Sequence, residues 1–299
     1  MSRKYLFIGL SLIALSTSVF LLTSAETDAD HPIEVRPSTV KPFELPQTLS
    51  VAGEMMPLED LSVAEQLDRE ILVNTYWQSN NLLMLKRSTK WFPMIERILK
   101  EEGVPEDFKY LALIESGLQN IVSPAGAAGP WQIMKATGKE AGLEIDNEID
   151  ERYHMEKATR VACAYLKEAH EKFGNWTLAA ASYNMGMAGT QRRLDEQKVD
   201  SYYDLRLNSE TGRYVYRIAA VKYIHENLEK FGYVYHPSAG YALPKFDTVE
   251  VSGPVENWVD WALEHGTTYK LLREYNPWIR GTKNTNSSNK TYQILVSKK

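Results

Sequence analysis

Cysteine is almost missing from this chain: Cys163 is the only one in 299 residues. An intramolecular disulfide is therefore excluded, and stability must come from packing. Basic excess is missing too, since a net charge of −5 gives no footprint for nucleic acid. The six histidines show no paired metal-ligand spacing and no His-Glu-x-x-His motif, so neither a metal nor another cofactor is expected. Asp146, Glu148 and Asp150 imitate the start of a calcium loop. Glu151 stands where that loop needs Gly, however, and Lys157 where it needs Glu. Asp150-Glu151-Arg152 reads instead as a structural ion pair. No Gly-x-Ser-x-Gly elbow points to a serine hydrolase, and no tandem repeat organises the helical region.

What is present divides into segments. The length allows about two domains, and 43% apolar residues suffice for a packed core. Ser2-Arg3-Lys4, the apolar run Tyr5–Leu22 and Thr23-Ser24-Ala25 make residues 1–25 an export signal. The run is long, so an uncleaved anchor giving membrane association is the alternative. No Cys near its end supports a lipid-modified protein. Export without disulfides fits the periplasmic side of a bacterial cell envelope. Residues 26–60 are polar and Pro-bearing, and read as a tether or loosely packed lead-in.

Helical periodicity then dominates residues 61–236. Helices are predicted over Leu61–Asn80, Trp91–Glu102, Glu156–Phe173, Trp176–Asn184 and Arg213–Phe231, several of them stopped by glycine. Between these lies Tyr110–Leu118, apolar or small except for Glu115 and Ser116. Phe108, Leu111, Ala112 and Glu115 recur at helical spacing, which puts the carboxylate on a core stripe. An unpaired anion there is costly, so its pKa should rise, as suits a general acid. The plainer alternative is a Glu that swings out to solvent or pairs with an Arg.

Further motifs follow in order: Gly129-Pro130-Trp131-Gln132-Ile133-Met134, then Ser182-Tyr183-Asn184, then Glu210-Thr211 with Tyr214-Val215. With Glu115-Ser116 they resemble the ordered motifs of lytic transglycosylases that carry the soluble-transglycosylase, lysozyme-like domain. The similarity runs over roughly residues 61–235 and is greatest to the membrane-bound lytic murein transglycosylase D group. It implies a mainly α fold, a lysozyme-like all-α catalytic domain over 61–236. It also implies cleavage of the β-1,4 bond between N-acetylmuramic acid and N-acetylglucosamine in peptidoglycan strands, leaving a 1,6-anhydromuramoyl end. On that resemblance Glu115 is the catalytic carboxylate, acid and then base, with the substrate's acetamido group as nucleophile. Ser116, Gln132, Met134, Tyr183, Asn184, Glu210 and Tyr214 are then the substrate-binding positions. Read without the family, Met134 is core, Asn184 a helix cap and Tyr214 part of an apolar stripe. Trp131 reads as core either way, and Gly126 and Gly129 suit a close backbone approach to a sugar or any tight turn.

Past Pro237 the pattern changes. Phe246–Val251 and Tyr292–Val296 read as strands, Val255–His265 and Thr268–Tyr275 as short helices. The order resembles a LysM glycan-binding module over residues 244–299, making a small α+β unit separable from catalysis. Ser252-Gly253-Pro254 and the long Asn/Ser-rich loop Gly281–Lys290 depart from that pattern. Trp258, Trp261 and Trp278 are expected in the unit's core more than on sugar rings. Alternatives to a transglycosylase are a goose-type-lysozyme-like hydrolase and a non-catalytic peptidoglycan-binding protein.

Overall fold

The computed structural model describes residues 40–297, so the export or anchor segment over residues 1–25 lies outside them. Asp60 opens the helical region as a cap, its carboxylate accepting the Ser62 amide at 2.7 Å. Helix α1, Leu61–Tyr76, and helix α2, Gln78–Glu102, follow, joined at Trp77. The expected gap before Trp91 is absent, and α2 runs through Pro93 to Gly103, where φ is +69°. Packing explains the continuity, for Met84, Leu85, Ser88, Ile95, Ile98 and Leu99 are all buried along it. Helix α3, Phe108–Ser116, ends at Gly117 in the left-handed region.

Helices α4, Lys135–Glu140, α5, Met155–Phe173, α6, Trp176–Met185, and α7, Met187–Gln197, come next, then α8, Tyr214–Glu226. Helix α7 has no strong apolar signal because only Thr190 and Leu194 are buried. Helix α8 is the reverse. Tyr214, Val215, Tyr216, Ile218, Ala219, Ala220, Val221 and Ile224 are buried around it, and it touches α1, α3 and α6. The predicted extension to Phe231 breaks at Asn227, and Leu228–Phe231 is a 3₁₀ turn.

From Leu49 to Asp60 the lead-in expected to be loose is tied down instead. Leu49, Val51 and Met56 are buried in the main core, and strands β1, Ser50–Val51, and β2, Glu54–Met55, form a small hairpin. Glu54 caps α6, accepting the Trp176 and Thr177 amides at 2.5 and 2.9 Å. Among the described residues no helix is long and apolar enough to cross a membrane.

The C-terminal unit pairs β3, Phe246–Val251, antiparallel with β4, Tyr292–Ser297, in register Phe246↔Ser297 to Val251↔Tyr292. Helices α9, Trp258–Glu264, and α10, Tyr269–Tyr275, cover one face. Trp258 and Trp278 are core, as expected, while Trp261 is partly buried and stacks on His265 at 3.8 Å. The unit is not a bead on a tether. Its apolar core also contains Ala128, Ile149 and Tyr153 from the helical region, and Ile149 bridges Ile279 across the seam. The Asp150 amide donates to Trp278 O at 2.8 Å, and the Arg280 amide to Glu148 O at 2.7 Å. Its neighbours are therefore those of a subdomain, because a unit this small gains core by sharing it.

Candidate active site

Glu115 lies on the last turn of α3, half-buried, with core residues on the rest of its stripe. Helix α8 crosses that turn and supplies Tyr214, whose hydroxyl donates to the Glu115 carboxylate. One turn further on, Arg217 donates to Ile114 O at 3.2 Å and sets its charge beside the acid. Burial raises the Glu115 pKa above the ordinary carboxylate range, and the charge of Glu210 adds to this. The Tyr214 hydrogen bond and the Arg217 charge oppose the rise without cancelling it. Tyr214 and Tyr183 are themselves held well above the usual phenol range, first by burial and then by the charge of Glu115. Both therefore act as neutral hydrogen-bonding groups.

The loop from Ser123 to Met134 forms the neighbouring wall, and several separate ties hold it. The Ser116 hydroxyl is buried and donates to Pro130 O at 2.7 Å, so it fastens the loop to α3. Tyr183 donates from α6 to Trp131 O at 2.8 Å. Trp131 is fully buried, as expected of a core residue, with its ring nitrogen on Thr159 at 2.8 Å. Arg152 enters from beneath, bonding Gly126 O at 2.9 Å and Ile133 O at 3.2 Å while pairing with Asp150 at 2.7 Å. The ion pair expected of this segment thus orders the loop. Gly129, at φ +80°, passes so near the Arg152 carbonyl that a Cβ would sit 1.9 Å from it. The close approach that requires glycine here is backbone to backbone.

Gln132 occupies the left-handed region at φ +48°. Its amide nitrogen donates to Gly129 O at 2.8 Å and Ile121 O at 3.1 Å, which commits the donors and leaves the carbonyl oxygen outward. Met134 is 45% exposed, which removes it from the core and leaves it on the surface of the same loop. Asn184 is clamped, donating to Glu210 at 3.2 Å and accepting from the Thr211 hydroxyl at 2.7 Å. Asn208 accepts the Glu210 and Thr211 amides at 3.0 and 2.8 Å, and Arg213 forks onto buried Glu70 at 2.6 and 3.1 Å. Glu115, Gln132, Tyr183 and Tyr214 are thus linked through one loop and three helices, and Asn184 and Glu210 through the turn before α8.

The sequence reading missed Arg217, Arg213 and Glu70. Arg217 was findable, since it lies three residues after Tyr214 on one face of a helix. Glu70 was not, because its partner is far away in the chain. Among the described residues no cluster of His, Cys, Asp and Glu could hold a metal ion.

The site is thus a half-buried acid on a phenol and near a guanidinium, walled by a Gly-bearing loop in a helical domain. The chain matches the transglycosylase SLT domain over residues 92–205 and the soluble lytic transglycosylase C-terminal LysM-like domain over residues 247–299. The chain thus carries an SLT transglycosylase domain followed by a LysM-like C-terminal domain. It is similar to membrane-bound lytic murein transglycosylase D of Escherichia coli K12, 28% identical over 215 residues. That alignment covers 67% of this chain and 45% of the relative, so the chain spans less than half the relative's length. Among solved structures it is similar to the 70 kDa soluble lytic transglycosylase of Escherichia coli, 18% identical with a TM-score of 0.42 over 59% of this chain and 32% of that one. An inactive mutant of lytic transglycosylase Slt from Pseudomonas aeruginosa is 22% identical, with a TM-score of 0.38 over 46% of this chain and 24% of that one. Glu115, Ser116, Gln132, Met134, Tyr183 and Asn184 fall inside the SLT match, while Glu210 and Tyr214 lie beyond it.

Proposed function

We propose that this protein is a peptidoglycan lytic transglycosylase that cleaves the bond between N-acetylmuramic acid and N-acetylglucosamine and closes a 1,6-anhydro ring. The observation that carries this reading is the setting of Glu115. Its acidity is weakened by burial, which suits a group that must deliver a proton to the leaving oxygen. Its hydrogen-bond donor is a phenol, the charge of the Arg217 guanidinium reaches it, and Glu210, the other carboxylate whose charge reaches it, is exposed and held by Asn184. A paired-carboxylate mechanism needs a second acid poised at the anomeric carbon. With one poised acid, the substrate's 2-acetamido oxygen attacks that carbon as Glu115 protonates the leaving oxygen. Glu115, now ionised, takes the proton of the muramic C6 hydroxyl as that oxygen displaces the acetamido group. The internal hydroxyl outruns water because it is already positioned. Tyr214 holds the carboxyl for both transfers. Gln132, Met134, Tyr183, Asn184 and Glu210 bind the muramic residue, and Ser116 serves by fixing the loop.

The envelope is where such a substrate lies, in keeping with the export signal read from residues 1–25. Digestion of purified sacculi in heavy-oxygen water tests the reading. Unlabelled products that resist borohydride at the muramic end support it. Label at a reducible muramic end in most products makes the protein a lysozyme-like hydrolase.

A further inference from the structure

A second cavity, of about 670 Å³, opens between helix α7 and the loop that returns from it, lined by Met185, Gly189, Gln197, Leu207, Asn208 and three arginines. The arginines are Arg192, Arg193 and Arg206, and no acidic residue lines the cavity. In a chain of net charge −5 this is a local reversal of sign. Arg192 and Arg193 share one carboxylate, that of Glu196, at 3.8 and 2.7 Å. The Arg206 guanidinium has no ion pair among the described residues, yet its backbone is fixed. Its N–H donates to the Gln197 carboxamide oxygen at 2.8 Å, and its carbonyl accepts from the Gln197 nitrogen at 3.0 Å. The floor is open because Gly189 carries no side chain over Met185. Positive charge is thus in excess over a preformed hollow, the arrangement that forks onto carboxylates.

The cavity adjoins the Asn184–Glu210 clamp through two of its lining residues. Met185 follows Asn184, and Asn208 supplies the carboxamide that holds the Glu210 and Thr211 amides. A ligand seated here extends from whatever Asn184 and Glu210 hold. We propose that the arginine cavity is a carboxylate-binding site for the peptide stem carried by the glycan strand, which makes the enzyme select peptide-bearing over bare glycan. This rests on the peptidoglycan reading above. The stem is the part of that polymer with free carboxylates.

The test uses the full chain and the double variant Arg193→Gln/Arg206→Gln, both side chains being exposed and outside the core. A synthetic tetrapeptide with two free carboxylates is titrated by calorimetry at low salt, with inorganic phosphate as the control anion. The wild type should bind the tetrapeptide, more weakly as salt rises, and the variant at least about fivefold less tightly. In turnover, the variant's KM for peptide-bearing glycan should rise about five- to tenfold with kcat unchanged, and KM for peptide-stripped glycan should not move. Equal tetrapeptide binding by variant and wild type overturns the proposal. So does phosphate binding as tightly as the peptide, which marks a plain anion site. An equal KM rise on stripped glycan also overturns it, because the arginines then grip sugar. The titration needs no turnover, so an absence of glycan cleavage fails the functional reading while this site is still decided.

Discussion

Asn276 in the C-terminal unit and Glu115 in the helical region are both polar side chains set among apolar ones, but the two regions treat them in opposite ways. Asn276, fully buried in the C-terminal unit, donates to Leu272 O and Leu295 O at 2.9 and 2.7 Å and accepts the Leu295 amide at 2.9 Å. Asn286 does the same between Ser252, Lys290 and its own turn. These amides are spent on backbone, and the result is a rigid frame. Glu115 in the helical region is left with its acidity unsettled, pushed up by burial and only partly restrained by Tyr214 and Arg217. Saturated polar groups hold shape, whereas a partly satisfied acid is free to exchange a proton. The two regions meet at the Ser123–Met134 loop, which the C-terminal unit underpins through Asp150 and Arg152.

The sharpest break of that contrast is Glu115→Gln. Shape and hydrogen bonding survive but proton cycling does not, so turnover should fall at least about 10²-fold with the circular dichroism unchanged. Turnover within a few-fold of wild type would remove Glu115 from the mechanism. Deleting residues 244–299 should come next. It uncovers Ala128, Ile149 and Tyr153 and removes the Trp278 carbonyl from Asp150. Turnover of soluble fragments should drop roughly 10- to 100-fold, because small displacements of a positioning loop are expensive. A truncated protein as active and as heat-stable as the whole would show that the shared core is dispensable and the unit separable after all.

Asn276→Ala strikes the frame alone. Losing its three hydrogen bonds leaves buried backbone unpaired and should cost about 2–4 kcal/mol in urea unfolding, with kcat at 20 °C near wild type. A fall in kcat without a fall in stability would contradict that division of roles. The smallest effect concerns pH. Tyr214 favours the ionised form of Glu115, so Tyr214→Phe should raise its pKa further and move the basic limb of kcat upward. A limb that moved down would reverse the sign assigned to that hydrogen bond. The same linkage acts on stability. The folded state holds the Glu115 proton more tightly than the unfolded state, so wild-type stability falls as pH rises from about 4.3 through the raised value. Glu115→Gln lacks that slope, and melts at pH 4 and pH 7 should show it gaining on wild type at the higher pH.

Much of this was legible in residue order. Glu115 could be found because helical spacing at Phe108, Leu111 and Ala112 put it on an apolar face, a purely local fact. The strands Phe246–Val251 and Tyr292–Ser297 and the glycine stops after α2, α3 and α5 were equally local. Helix α7 was missed because its exposed face carries no period, and Pro93 and Trp77 misplaced the boundaries of α1 and α2, where packing overrode propensity.

By itself the sequence determined that Glu115 lies on an apolar helix face, the order of the motifs around it and most of the elements, because each depends on neighbours within a few turns of chain. Only the tertiary structure decided what those residues do to one another. Ser116 could have faced a ligand and instead secures Pro130. Gly129 could have admitted a sugar and instead admits the Arg152 carbonyl. Arg213 meets Glu70 across more than a hundred residues, and the C-terminal unit shares its core with Ile149 and Tyr153. Burial, direction and partner belong to pairs brought together from distant parts of the chain, and no local pattern encodes the distance between them.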